Sequence, residues 1–389
     1  MAEYDISELR KFVAPEFVFG AGAAELAGQY AANLSVKKAL VVSGPMLDAL
    51  GVPGAVVDSL RREGVASALY TGISPNPRDH EVMEGADVFR REGCDAIVAV
   101  GGGSPMDCAK AIGIVCTNER HVLEFEGVDR VERPGPPLIC VPTTAGTAAD
   151  ISQFCIINDI GRKVKIAIVS KTMVPDVALI DPMLTMTMDA RLTAHTGLDA
   201  LTHATEAFVS NASSAVTDLH ALEAVRLIRR FLLRAVENPG DAEARTGMML
   251  ASTYAGLAFS NAILGAVHAM AHSLGGLLDL PHGLCNAILL DHVVDFNYEA
   301  ASEKYRRLGN ALGASIAPEA GEPEAREAVL DAFRSIKRAA GVRDNLTELG
   351  MSPADLPLLA KNALADACML TNPRQPDAAQ VMEIYEKAC

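Results

Sequence analysis

Seven of the nine histidines fall between positions 195 and 292, and their spacing is the first chemical signal in the chain. Asp199 and His203 stand four residues apart, as do His268 and His272. On a helix that separation places both groups on one face. His282 follows in Asp279-Leu280-Pro281-His282-Gly283, beyond the Gly275-Gly276 pair. One carboxylate and three imidazoles converging from separate segments would hold a divalent transition metal. Imidazole suits Zn, Fe, Cu or Ni, and the carboxylate adds affinity for a harder ion. A single histidine on an apolar helix is more often a hydrogen-bonded core group, and His195, His220 and His292 read that way. A pair within an uncharged run is harder to explain so. H-E-x-x-H is absent, which leaves a zincin protease without support.

A second signal precedes it. The apolar run ending at Val100 enters Gly101-Gly102-Gly103-Ser104-Pro105-Met106-Asp107. Ser104 fits a helix N-cap, Pro105 the first helical position, and Asp107 stands three residues after the cap. Three glycines let the backbone turn sharply and expose N–H groups at the positive end of the helix, an anion site suited to a pyrophosphate. Pro142-Thr143-Thr144-Ala145-Gly146-Thr147 follows the next apolar run, offering hydroxyls at the carboxyl edge where open α/β sheets bind ligands. Gly20-Ala21-Gly22 is a decoy: position 25 is Glu, so the dinucleotide fingerprint fails and a turn is expected.

These groups need elements to position them. Lys38–Val42, Val65–Tyr70, Ala96–Val100 and Pro137–Val141 read as strands separated by helical stretches, one of them over Glu81–Arg91. That alternation predicts a Rossmann-like parallel sheet covered on both faces. Ile156-Ile157 and Ile166–Val169 predict a hairpin appended to it. After Asp181-Pro182, Ala- and Leu-rich helical periodicity continues to the C-terminus, with Asn238-Pro239-Gly240, Gly275-Gly276 and Gly321-Glu322-Pro323 as breaks. The expected division is an α/β domain over 1–185 and an all-α domain over 186–389. Thr246–Leu278 carries no charged residue and is long enough to span a bilayer. Its histidines, serines and glycines and its lack of basic flanks mark it as a buried core helix instead.

Composition narrows the function classes. Of 389 residues, 50% are hydrophobic and 21% charged, ordinary for a globular chain with a large core. A net charge of −15, spread along the chain, disfavours nucleic acid and membrane surfaces as partners. The eight cysteines form no C-x-x-C pair and suit reduced thiols in a cytoplasmic protein. Met1-Ala2-Glu3-Tyr4-Asp5 is acidic with no apolar core, so no signal peptide is expected.

Taken together, the Gly101–Asp107 and Pro142–Thr147 loops, Gly197-Leu198-Asp199-Ala200-Leu201-Thr202-His203-Ala204-Thr205-Glu206, His268-Ala269-Met270-Ala271-His272, Pro281-His282-Gly283 and Thr371-Asn372-Pro373-Arg374 resemble the iron-containing (group III) alcohol dehydrogenases. The likeness runs through nearly the whole chain in the same order. It implies a dehydroquinate synthase-like fold, with a dinucleotide-binding α/β domain, a helical metal domain and a cleft between them. It further implies Asp199, His203, His268 and His282 as ligands of Fe2+, with Zn2+ fitting the same set, and His272 as a non-ligand histidine near the nicotinamide. Gly101, Gly102, Ser104 and Asp107 correspond to the pyrophosphate loop, Thr143, Thr144 and Thr147 to a second cofactor loop, and Asn76, Lys165 and Leu184 to cofactor-lining positions.

The sequence departs from the family at Gly44, where many members carry an Asp that bonds the adenosine ribose. Loss of that carboxylate removes repulsion against a 2′-phosphate, so NADP is expected to be tolerated alongside NAD. Ile151-Ser152-Gln153-Phe154 replaces a commoner Glu-Val-Thr pattern and leaves the alcohol unspecified. The implied activity is NAD(P)-dependent hydride transfer between a primary alcohol and its aldehyde, by a homo-oligomer, dimer or larger. Hydroxyacid–oxoacid transhydrogenation is an alternative within the family. A dehydroquinate synthase-like lyase would need several Lys and Arg near the metal, where the sequence has almost none, and a cofactor-free hydrolase would leave the glycine and threonine loops without a purpose.

Overall fold

Four of the β-branched runs become parallel strands almost as the pattern requires. The computed structural model describes residues 11–389; Met1–Asp5, read above as acidic and without an apolar core, lies outside the described residues. The chain divides into two compact units, Ala14–Thr187 and Met188–Cys389, with Lys11, Phe12 and Val13 belonging to the second.

The first unit contains strands β1 (Glu16–Phe19), β2 (Lys38–Val42), β3 (Ala66–Tyr70), β4 (Ala96–Gly101), β5 (Gly127–Val128), β6 (Leu138–Pro142), β7 (Phe154–Asp159), β8 (Val164–Val169) and β9 (Val177–Ile180). Helices α1 (Ala27–Asn33), α2 (Pro45–Ala49), α3 (Val52–Arg62), α4 (Asp79–Glu92) and α5 (Gly103–Asn118) connect them. Six strands form one sheet in the order β1-β9-β6-β4-β2-β3, with every pairing parallel. All six residues of β4 are buried, as a central strand covered on both faces must be. Side chains alternate across it: Ile97 and Ala99 join a core with Leu40, Val42 and Ile112, while Val98 and Val100 join another with Val41, Leu60 and Val141. The pairings Val42↔Ala99 and Gly101↔Pro142 bring the carboxyl ends of β2, β4 and β6 to one edge.

One expectation needs correction here. β7 and β8 do form an antiparallel hairpin, but it is not an extension of the main sheet. β8 pairs along its other edge with β5, which makes a separate three-stranded sheet. Two strands of the main sheet lie outside the four runs read from the sequence, β1 and, between it and β6, the buried β9; at four residues each they are too short to stand out by periodicity. Gly20-Ala21-Gly22 is a turn, as expected: Gly22 has φ +87 and its N–H donates to Asp181 Oδ2 at 2.8 Å.

The second unit is helical: α6 (Ala190–Val209), α7 (Ala215–Glu237), α8 (Ala242–Ala262), α9 (Ala266–Leu278), α10 (His282–Asn297), α11 (Ser302–Leu312), α12 (Glu322–Ala339), α13 (Leu356–Ala365) and α14 (Ala378–Lys387). Caps match the chemistry of the sequence. Asp189 accepts from Leu192 N–H at the start of α6, and Asp241 from Ala244 N–H at the start of α8, satisfying donors that a helix start otherwise leaves open.

The charge-free stretch is not one core helix but two, α8 and α9, bent by 101°. The chain turns at Ile263, held at φ +63, and Thr371 Oγ1 donates to Leu264 O at 2.6 Å in the bend. Gly275-Gly276 lies inside α9, which ends instead at Asp279 in the left-handed region. Among the described residues no single helix is long and apolar enough to cross a membrane. All eight cysteines are free thiols.

Candidate active site

Three helices of the second unit bring the metal-ligand candidates together. α6 carries Asp199 and His203 on one face, α9 carries His268 and His272, and His282 is the first residue of α10. One donor atom from each of Asp199, His203, His268 and His282 lies within 4.8 Å of the others. Asp199 is the hub, with Oδ2 3.8 Å from His203 Nδ1 and Oδ1 3.9 Å and 3.7 Å from Nε2 of His268 and His282. The start of α10 reaches this point because residue 283 is glycine: a Cβ there would lie 2.4 Å from the carbonyl oxygen of His195 on α6.

The donor set fits a metal ion. Asp199, His203 and His268 are buried, and Nδ1 of His203 and Oδ1 of Asn286 are buried without a hydrogen-bond partner. Unpaired polar atoms in such a place are rare, and a ligand is one explanation for them. Burial pushes His203 down to about 3 and His268 well below the usual imidazole range, so both rings stay neutral, as ligation requires. The set of three imidazoles and one carboxylate suits a first-row transition ion.

Groups behind the cluster hold it in place. Asn286 Nδ2 donates to Asp199 Oδ1 at 2.7 Å and lies 3.1 Å and 3.2 Å from Nε2 of His268 and His282. Glu206, near the end of α6, is 2.5 Å from His268 Nδ1, and burial pushes its carboxyl up to about 8. His272 is set apart from the four. Its Nδ1 is 2.8 Å from Asp366 Oδ2, and its ring stacks on His282 with centroids 5.4 Å apart. Nothing in the sequence marks Asp366, which is 94 positions from His272. Glu206 did carry a signal, since it lies seven and three residues after Asp199 and His203, on their face of the helix.

In the first unit, the candidate cofactor residues gather at the carboxyl edge of the main sheet. α5 starts at Gly103 with Gly102 as N-cap and no side-chain cap, so Ser104 is not the cap. Its Oγ is instead taken up by the N–H of Asn76, at 3.2 Å. Gly102 is needed for close approach: a Cβ on it would lie 3.1 Å from Thr144 Cγ2 and Oγ1. Thr147 lies in the same way against Gly103, and Thr143 N–H donates to Gly101 O at 2.9 Å. The two loops therefore pack as one cradle, with the uncapped start of α5 in it and Asp107 half-buried one turn along. Asn76, at φ +57, accepts at Oδ1 from the buried Lys165 Nζ at 2.6 Å.

Gly44 is the N-cap of α2 just past β2, and a Cβ on it would meet only Ile73 O, at 3.5 Å. Leu184, half-buried in the turn after β9, packs on the core face that includes Val100 and Val141.

A parallel sheet with a glycine-rich strand-to-helix loop, followed by a helical unit with a buried Asp/His cluster, defines a class of metal-dependent dehydrogenases, and comparison with known proteins agrees. The sequence profile of the iron-containing alcohol dehydrogenases matches residues 14–182, and that of the Fe-containing alcohol dehydrogenase family's C-terminal domain matches residues 193–389. The chain belongs to the iron-containing alcohol dehydrogenase family and is an oxidoreductase of the alcohol dehydrogenase type. It is 42% identical over 372 residues to 1,3-propanediol dehydrogenase of Klebsiella pneumoniae, covering 95% of this chain and 96% of that one. It is 38% identical over 377 residues to the NAD-dependent methanol dehydrogenase of Bacillus methanolicus, covering 97% and 99%. Its fold matches a crystal structure of 1,3-propanediol oxidoreductase with a TM-score of 0.94 at 40% identity, covering 98% and 100%.

Proposed function

We propose that the chain catalyses reversible hydride transfer between a small primary alcohol, with its aldehyde, and a nicotinamide dinucleotide, using a divalent metal, iron, held by Asp199, His203, His268 and His282. The convergence of those four groups within 4.8 Å carries the reading. When bound, the metal supplies a Lewis acid that makes the alcohol proton easier to lose, and the dinucleotide supplies the hydride acceptor.

The protein's own groups do the positioning. Gly101–Gly103 and the first turn of α5 would receive the pyrophosphate through backbone N–H groups and the helix dipole. Thr143, Thr144 and Thr147 line the cradle, with Asn76, Lys165, Asp107 and Leu184 around it. Lys165, buried and bonded to Asn76, places a cation where anionic oxygens are expected. His272, oriented through Nδ1 by Asp366, leaves Nε2 to take up the alcohol proton or return it.

The lack of a side chain at Gly44, where no carboxylate opposes a 2′-phosphate, supports use of NADP alongside NAD. The test is metal analysis of anaerobically purified protein, with rates for a panel of short alcohols and aldehydes followed at 340 nm with each dinucleotide. Protein lacking bound metal, or turnover that survives its removal, refutes the metal reading. A strong preference for NAD refutes the reading of Gly44.

A further inference from the structure

The motif around Asp199 and His203 ends in Glu206, a carboxylate to which neither hydride transfer nor ligation assigns a task. It is 4% exposed on the face of α6 that carries the two ligands. Each of its oxygens has a separate partner on α9. Oε1 accepts from the Val267 N–H at 2.7 Å, one of the open donors at the start of that helix, and Oε2 lies 2.5 Å from Nδ1 of His268. The opposite ring nitrogen, Nε2, faces the cluster, 3.9 Å from Asp199 Oδ1. Asn286, which donates from Nδ2 to Asp199, lies 3.1 Å from the same Nε2.

We propose that Glu206 is a positioning residue for the metal centre: it holds His268 in the tautomer with the proton on Nδ1, so that Nε2 presents its lone pair to the ion, and anchors the first turn of α9 at the correct depth. This rests on the metal reading above. A neutral imidazole that ligates through Nε2 keeps its single proton on Nδ1, where it donates to Glu206 Oε2 at 2.5 Å, and a ligating histidine bound through its other nitrogen to a carboxylate is fixed in orientation and made more basic. One side chain sets both the tautomer and the helix position, since both oxygens are used on consecutive residues of α9.

Glu206→Gln separates the two tasks. Its carbonyl oxygen can still accept from Val267, at nearly unchanged volume, but its NH2 group donates toward Nδ1 and favours the proton on Nε2, the wrong tautomer for ligation. Zinc titrated into metal-free protein against a competing chelator should show a loss of about 10- to 100-fold in affinity, with the melting temperature of the metal-free variant near that of wild type. A variant that binds zinc as tightly as wild type overturns the proposal. So does 15N NMR of zinc-loaded, histidine-labelled wild type showing His268 protonated at Nε2, a readout that needs no variant to fold. Wild-type protein that takes up no metal under the same titration refutes the metal reading itself, an outcome distinct from equal binding by the two proteins.

Discussion

Gly283→Ala should cripple the metal centre without altering a ligand. The added Cβ would sit 2.4 Å from the His195 carbonyl oxygen and 2.8 Å from its carbonyl carbon, about 1 Å inside ordinary contact. Both atoms belong to the backbone of α6, in the middle of its first turns, where they cannot rotate away. The start of α10 must therefore withdraw, and His282, the adjacent residue, moves with it. Ligand distances tolerate only about 0.2 Å, so a withdrawal on the order of 1 Å breaks the set.

The overpacking alone should cost about 1–3 kcal/mol of stability, and a 1 Å misplacement at a reacting centre about 100-fold in rate. Chelator competition gives the metal affinity, steady-state kinetics the rate, and thermal unfolding the stability. Gly54→Ala on α3 is the control. Its Cβ would meet nothing within 4 Å, so it should leave metal and rate unchanged and add about 0.5–1 kcal/mol. A Gly283→Ala protein with wild-type metal affinity and turnover would refute the claim that this close approach sets the cluster's geometry.

His268→Ala and Asp199→Asn should each lose bound metal together with turnover, whereas His272→Ala should keep metal and change mainly rate or its pH profile; metal analysis of the three purified proteins checks this, and a metal-free His272→Ala would mean that the ligands are misassigned. Gly102→Ala, whose Cβ would press on Thr144 at 3.1 Å, should weaken dinucleotide binding by about 10-fold or more while metal content stays at the wild-type level, as fluorescence titration with NADH would show. Removing the metal should lower the melting temperature, and restoring it at 100 times its Kd should return about 2.7 kcal/mol; a melting temperature indifferent to metal would count against a folded-state site.

Local pattern made much of this molecule legible. β2 reads as Lys38–Val42 and is Lys38–Val42, because four consecutive apolar residues, ending in the β-branched Val41 and Val42, between a helix end and a proline-led helix leave few alternatives. The pairs Asp199/His203 and His268/His272 were visible because a helix turns a four-residue spacing into proximity. What stayed hidden depends on contacts distant in sequence. Ser104 has the signature of an N-cap without being one, because a capping serine and a serine that accepts from the Asn76 N–H look alike in local sequence. The hairpin's place in a second sheet has no local signature, because only tertiary structure sets β5 beside β8. Asp366 could not be found at all, since its partner lies on another helix.

The buried polar groups around Asp199 also explain why the helical unit can have a charged centre within so apolar a bundle. A carboxylate and three imidazoles out of water carry a desolvation cost that hydrogen bonds must offset. Asn286 donates to Asp199, Glu206 takes up His268, and Asp366 takes up His272. These three partners come from α10, from α6 itself and from the turn after α13, so the cluster forms only when segments from across the unit are in register. They leave Nδ1 of His203 and Oδ1 of Asn286 buried without a hydrogen-bond partner. A cation among these ligands would offset part of the remaining cost, by attraction to Asp199 and by taking up imidazole lone pairs. The arrangement that makes the metal-free centre expensive is thus the one that would favour a bound cation, whose free energy of binding would in part be free energy of folding.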